Sequence, residues 1–318
     1  MSADGEPTTV SVVICAHTLE RWESLHAAVL SVVEQTTPAL ETIVVIDGNA
    51  ELERMARDAL PGVAVIANAH RQGLSGARQT GAERARGTVV AFIDDDAVAD
   101  ADWLEWLSAA YLDPCVLGVG GSIEPNWLAP VPAWFPDEFN WVVGCTYTGM
   151  PERTARVRNP IGANMSVRAV VIAASGSFDP RMGRVPSAKS LAGSAEETEF
   201  CIRAAREHPG HYWIYEPRAR VHHLVPPQRG SWRYFVRRCA VEGAAKARLS
   251  QIAGSSDGLR SERAYVRSVL PRALVRELRG ALRGRHGALA RAGAVCAGVS
   301  ITAGAYGWAR LRERVHPG

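Results

Sequence analysis

Three carboxylates in succession, Asp94, Asp95 and Asp96, follow the apolar run 88–93. Adjacent carboxylates repel one another enough to disfavour ionisation unless a cation lies among them, so the triple asks for a divalent metal such as Mn2+ or Mg2+. Acids can also open a helix, but Asp100 and Asp102, just ahead of Trp103, are placed to do that without the earlier three. Asp47 follows a second apolar run, 42–46. A carboxylate there can accept a hydrogen bond from the imide N–H of a uracil-like base, or simply close an Asp-Gly turn. Arg71 and Arg78 bracket Gln-Gly-Leu-Ser-Gly-Ala, a turn into a helix. Its free backbone N–H groups and two guanidinium forks suit a diphosphate, and a glycine-rich turn with solvated arginines is the plainer alternative.

These residues need elements to hold them. The run 10–16 is apolar and β-branched, and 21–33 spaces Leu25, Val29 and Val32 along one helical face. The alternation continues with strands at 42–46, 63–67, 88–93 and 115–120 and helices near 52–60, 76–86 and 102–111. Strands alternating with helices predict a mainly parallel sheet covered on both faces. Ligands of such sheets sit beyond the carboxyl ends of the strands, where Ala16, Asp47 and the three acids fall. Ala16-His17-Thr18 lacks the glycine-rich loop that a dinucleotide enzyme or a sugar nucleotidyltransferase would carry there.

Residues 124–158, with Trp127, Trp134, Trp141 and several prolines, read as an extended aromatic segment. Order resumes at 161–174, with a helix at 196–207, strands at 211–215 and 219–223, and a helix at 232–249. His222 and His223 alternate on the last strand, so only one can face a site. The expected organisation is a flexible 1–9, a main domain at 10–252 divided at 122/123 into a nucleotide-binding half and a second half, and a basic helical tail at 253–318.

With 318 residues and 47% hydrophobic content the chain can bury a full core, which excludes disorder as a whole-chain state. Six scattered cysteines without a C-x-x-C pair, and no basic-then-apolar leader, predict reduced thiols in the cytoplasm. Residues 227–318 hold 18 Lys+Arg against 5 Asp+Glu, while 1–226 hold 18 against 28. The basic tail suits an anionic surface, and the acidic body argues against nucleic acid as partner.

Taken in order, the residues resemble the inverting glycosyltransferases of the GT-A fold, family 2, over roughly 10–243. The resemblance is carried by the Val-Ser-Val-Val-Ile opening, Gly73-Leu-Ser-Gly-Ala-Arg78, the acidic strand end, Gly162-Ala-Asn-Met-Ser-Val-Arg168, Glu196-Glu197, and Tyr215-Glu-Pro followed by His223. It implies a Rossmann-like, mainly parallel α/β sheet flanked by helices, and a hexosyl transfer from a nucleotide-sugar donor, UDP-linked by preference. In that frame Ala16, Asp47, Arg71, Arg78, Asp94 and Asp95 line the nucleotide-sugar site, with Asp47 at the base, Arg78 by the diphosphate and Asp95 at ribose or metal. Asp96 and His223 fall to the metal, with phosphate an alternative for the histidine, and Asp94 shapes the strand end. Glu197 falls at the catalytic base, with Glu196 as the alternative because the family more often shows Glu-Asp there. Ser194 to Glu197 also reads as a helix capping box. Asn164, Trp141, Arg229 and Arg238 fall on the acceptor side, where a glycan, a lipid-linked sugar or a small molecule would bind.

In the tail, Val266, Leu270, Leu274, Leu278 and Leu282 recur every four residues among arginines. That is a basic amphipathic helix, suited to peripheral association at the inner face of the cell membrane. The uncharged stretch 292–309 is rich in Ala and Gly and marginal for spanning a bilayer. A packed helical hairpin or a dimer contact is the alternative. Two other functions fit the same acids: a nucleotide-sugar-binding protein without catalysis, and a metal-dependent phosphohydrolase.

Overall fold

The computed structural model describes residues 7–176, 178–179, 196–252 and 260–315. They form two compact units, one from the described residues of Met1–Glu124, Pro151–Ala188 and Glu196–His223, the other from those of Pro125–Met150 and Leu224–Gly318.

The first unit is built on a mixed sheet. Strands β1 (Val10–Ala16), β2 (Glu41–Ile46), β3 (Ala64–Ala67) and β4 (Val89–Asp94) are parallel, in the spatial order β3-β2-β1-β4. Helices α1 (Trp22–Val33), α2 (Ala50–Ala59) and α3 (Leu74–Arg84) connect them, and α4 (Trp103–Ala109) follows. β1 and β4 are buried along nearly their whole length, which is why they read as unbroken apolar runs. One face carries Val13, Val45, Phe92, Met165, Phe200 and Trp213 in a single buried cluster. Gly81 lets α3 lie close to it, since a Cβ there would meet Val13 Cγ1 at 2.3 Å.

Beyond β4 the sheet turns antiparallel. β8 (Asn164–Arg168) pairs antiparallel with β4 and with β6 (Val116–Trp127), and β9 (Tyr212–Val225) pairs antiparallel with the short β5 (Ala97–Ala99) and β7 (Ala155–Val157). α5 (Ala169–Ser175) and α6 (Glu196–Glu207) complete the described elements of this unit, while β6 and β9 end in the second. β5 has no signal in the sequence. The strands expected at 211–215 and 219–223 form one element, because Glu216-Pro217-Arg218 stays extended, and Glu216 accepts from Thr154 and Arg218. The helix expected from 76 starts at Leu74, set by Gly73 at φ 131°, a left-handed conformation open to glycine.

In the second unit the Trp-rich segment is packed. Trp134 lies 5.1–5.6 Å, centroid to centroid, from Phe135, Trp232 and Phe235, and Trp127 lies 5.3 Å from Phe135. Helix α7 (Trp232–Ile252) packs along the Ala288–Val315 helix, where Gly243 faces the Thr302 carbonyl. The Leu270–Leu282 helix follows a π-helical turn and packs on Ala288–Val315 as well. Ala288–Arg312 is long and apolar enough to cross a membrane by length and composition.

Candidate active site

Asp94 is the last residue of β4 and pairs in register with Cys15 on β1, so the strand delivers it at the carboxyl edge of the sheet. Asp95 and Asp96 form the tight turn into β5, and β5 pairs Ala97 with His223. That register brings His223 Nε2 to 3.1 Å from Asp96 Oδ1. Asp94, Asp96 and His223 each offer a ligand atom within 4.8 Å of one another. Two carboxylate oxygens and one imidazole nitrogen are a donor set that suits Mn2+ and also serves Mg2+.

The division of labour among the three acids differs from the sequence expectation. Asp94, expected at the nucleotide-sugar site and the strand end and not at the metal, belongs to the cluster, whereas Asp95 is outside it and held by Arg21, whose Nη1 donates to Asp95 Oδ1 at 2.8 Å. The chain turns at Asp95 and Asp96, and that turn returns the Asp96 carboxylate to Asp94, so Asp94 and Asp96 make a D-x-D pair. Arg21 also lies 3.2 Å from Asp96 Oδ2. Burial pushes the Asp95 carboxyl up to about 7, helped by Asp96 and Asp94 and opposed by Arg21. Among the described residues, Asp95 Oδ2 and Glu196 Oε2 are buried without a hydrogen-bond partner, as fits a site completed by a cation or substrate.

Arg78 joins this cluster to α6. It is buried on α3, donates to the Gly162 carbonyl at 2.9 Å, and lies 3.4 Å from both Asp94 Oδ1 and Glu196 Oε1. Glu196 is buried against it, while Glu197 is half-buried. The capping box expected at Ser194 lies outside the described residues.

Asp47 sits beside the end of β1, where its N–H donates to the Ala16 carbonyl at 2.8 Å. Its carboxylate accepts from Asn68 Nδ2 at 2.7 Å and from the Gly73 N–H at 2.9 Å, which ties the end of β2 to the start of α3. Arg71 lies on the exposed loop between them, with its carbonyl accepting from Asn68.

Asn164 does not present a polar group on the acceptor side. It is fully buried on β8, accepts from Trp103 Nε1 at 2.8 Å and donates to the Ser122 and Ala219 carbonyls at 2.8 Å. The sheet consumes its amide. His222 pairs with Asp100 at 2.8 Å, on the other side of the strand from His223. Trp141, Arg229 and Arg238 belong to the second unit, where Trp141 packs 5.4 Å from Phe139 and Arg229 donates to the Val143 carbonyl.

Arg21 and Asn68 were not anticipated. Arg21 closes a 3-10 turn whose Thr18 side chain caps Glu20, and only the folded turn brings it onto Asp95, 74 residues further along the chain. No spacing pattern encodes that.

A mixed sheet carrying a D-x-D pair at its carboxyl edge is the arrangement of GT-A glycosyltransferases. Residues 11–174 match the profile of Glycosyl transferase family 2, and the chain belongs to that family. It is a glycosyltransferase that uses a nucleotide-sugar donor. Over 241 residues, 74% of this chain and 76% of the relative, it is 39% identical to the glucosyl-dolichyl phosphate glucuronosyltransferase of Haloferax volcanii. Its fold is similar to a mannosyltransferase of Pyrobaculum calidifontis solved with GDP-Man and Mn2+, with a TM-score of 0.59 at 16% identity, covering 97% of this chain and 89% of that one. It is also similar to GalNAc-T7 solved with UDP, GalNAc and Mn2+, with a TM-score of 0.53 at 18% identity. There the match covers 75% of this chain and spans about half, 48%, of the other.

Proposed function

We propose that this enzyme moves a sugar from a UDP-linked donor to a hydroxyl of a polyprenyl-phosphate-linked sugar at the inner face of the cell membrane, by one inverting displacement. The cluster of Asp94, Asp96 and His223, coupled through Arg78 to the acidic start of α6, carries the reading of the chemistry. The similarity to an enzyme acting on glucosyl-dolichyl phosphate supports the lipid-linked acceptor. Asp94, Asp96 and His223 would hold Mn2+ or Mg2+, which when bound offsets the charge of the donor diphosphate.

Of the two glutamates, Glu196 is committed to Arg78 in a buried pair, and Glu197 is the more accessible, so Glu197 is assigned as general base. Its carboxylate takes the proton of the acceptor hydroxyl while that oxygen attacks the anomeric carbon. The bond from that carbon to the diphosphate breaks on the opposite face, and the nucleoside diphosphate leaves. Asp47 and Asn68 hold the loop that would carry the nucleobase of the donor, and Arg21 supplies positive charge beside Asp95.

Calorimetry with UDP-, GDP- and dTDP-sugars in the presence of Mn2+, UDP-glucuronic acid among them, tests the donor. Transfer to a polyprenyl-phosphate-linked glucose, read by mass spectrometry, tests the acceptor. Tight binding of a GDP-sugar alone would sink the UDP assignment, and donor hydrolysis without transfer would revive the phosphohydrolase.

A further inference from the structure

The Leu270–Leu282 helix is amphipathic in the wrong sense for a water-facing element. Its inward side carries Leu270, Ala273, Gly280 and Glu277, all buried, while Val275 and Leu278 are each 45% exposed and Leu282 is 90% exposed. The five-residue apolar series read from the sequence is therefore split, with Leu270 inside and Leu278 and Leu282 outside.

Ion pairs explain why Glu277 faces in. Arg276 forks onto Glu138 at 2.8 and 3.3 Å and reaches Glu277 at 2.7 Å, and Arg291 meets the other oxygen of Glu277 at 2.8 Å. With Glu277 locked inward the helix cannot roll to bury its leucines. At about 100° per residue, Val275, Leu278 and Leu282 fall within about 60° of one another. Arg272, Arg279 and Arg283 form the adjacent row; all three are exposed, and none has an acidic partner among the described residues.

We propose that this face docks on an anionic lipid bilayer, with Val275, Leu278 and Leu282 entering the headgroup boundary and the arginine row lying on the phosphates. The inference rests on the lipid-linked acceptor for its purpose and on the helix alone for its geometry. Charge complementarity selects the occupant. A symmetric pairing with a second copy would bring two arginine rows together with no acid on the face to meet them, whereas an anionic headgroup layer meets both the row and the stripe. The neighbouring Ala288–Val315 helix packs along α7 with one side.

The experiment is co-sedimentation of the full chain with vesicles of phosphatidylglycerol and phosphatidylcholine, and with phosphatidylcholine alone. The wild type is expected to pellet with the anionic vesicles, less so as salt rises, and weakly with the neutral ones. Arg272→Gln/Arg279→Gln/Arg283→Gln should weaken binding on the order of 100-fold, at roughly one charge increment per arginine. Leu278→Asp/Leu282→Asp should weaken it at least as much. Both variants should keep wild-type circular dichroism and Mn2+–UDP binding. If the leucine variant misfolds, the arginine variant still decides.

The proposal is overturned if the wild type ignores anionic vesicles, binds neutral ones equally well, or is unaffected by the arginine variant. It is also overturned if the wild type sediments as a dimer that Leu278→Asp/Leu282→Asp splits. Vesicle binding without sugar transfer from any donor would count against the proposed reaction and leave this surface standing. Transfer to soluble acceptors without vesicle binding would do the reverse.

Discussion

At the scale of single residues, three neighbouring aspartates of identical chemistry occupy different environments. Asp94 and Asp96 share a cluster with His223, while Asp95 is turned onto Arg21. Asp94→Ala or Asp96→Ala should therefore remove Mn2+ binding, whereas Asp95→Asn should retain most of it; calorimetry with Mn2+ and UDP compares them. Equal losses in all three would contradict the D-x-D assignment. Glu197→Gln should lower kcat by ~10²- to 10⁴-fold, the contribution of a general base, with donor affinity unchanged. Arg78 is a different case, since it is buried between two carboxylates and a carbonyl. Removing one partner of a buried ion pair leaves the other charged and unsolvated. Arg78→Met should accordingly cost about 3–5 kcal/mol of stability, visible as a large fall in Tm.

At the scale of elements, α3 holds Arg78 in place because Gly81 allows close approach to β1. A methyl group there would press on Val13 and Val45, so Gly81→Ala should destabilise by about 1–3 kcal/mol and weaken donor binding together. In the second unit the Glu277 pairs give a pH signature. Burial alone would raise the Glu277 carboxyl, but the bonds from Arg276 and Arg291 more than offset it and hold it below the usual carboxylate value. A depressed folded-state value contributes stability that is present above the unfolded value and lost as the pH falls through the folded one. Glu277→Gln should thus cost about 2 kcal/mol near neutral pH. Variant and wild type should converge as the pH drops below about 4; thermal unfolding across that range decides.

At the scale of the whole molecule, an excess of acids before residue 227 and of arginines after it separates a part suited to a cation from a part suited to anions. Arg21 already offsets charge at Asp95 and Asp96, so the acid cluster does not need a metal to keep the fold. EDTA should therefore stop turnover while leaving circular dichroism and Tm nearly unchanged. A large fall in Tm on chelation would instead make the ion structural.

The sequence by itself determined the parallel half of the sheet, because β-branched runs alternating with amphipathic helices leave few other packings, and it placed Ala16, Asp47 and the acids at strand ends. It determined the family as well, through motifs in a fixed order. Only the tertiary structure decided how the acids divide, since that depends on β5, three residues long and held by pairing with a strand more than a hundred residues away. Arg21 reaches Asp95 across 74 residues and Asn68 reaches Asp47 across 21, and Asn164 exchanged an expected acceptor contact for two bonds to sheet carbonyls and one from Trp103 on α4. Periodicity reports which residues share a face. Whether that face turns inward depends on competing partners, and in the tail the Glu277 ion pairs prevailed over the leucines.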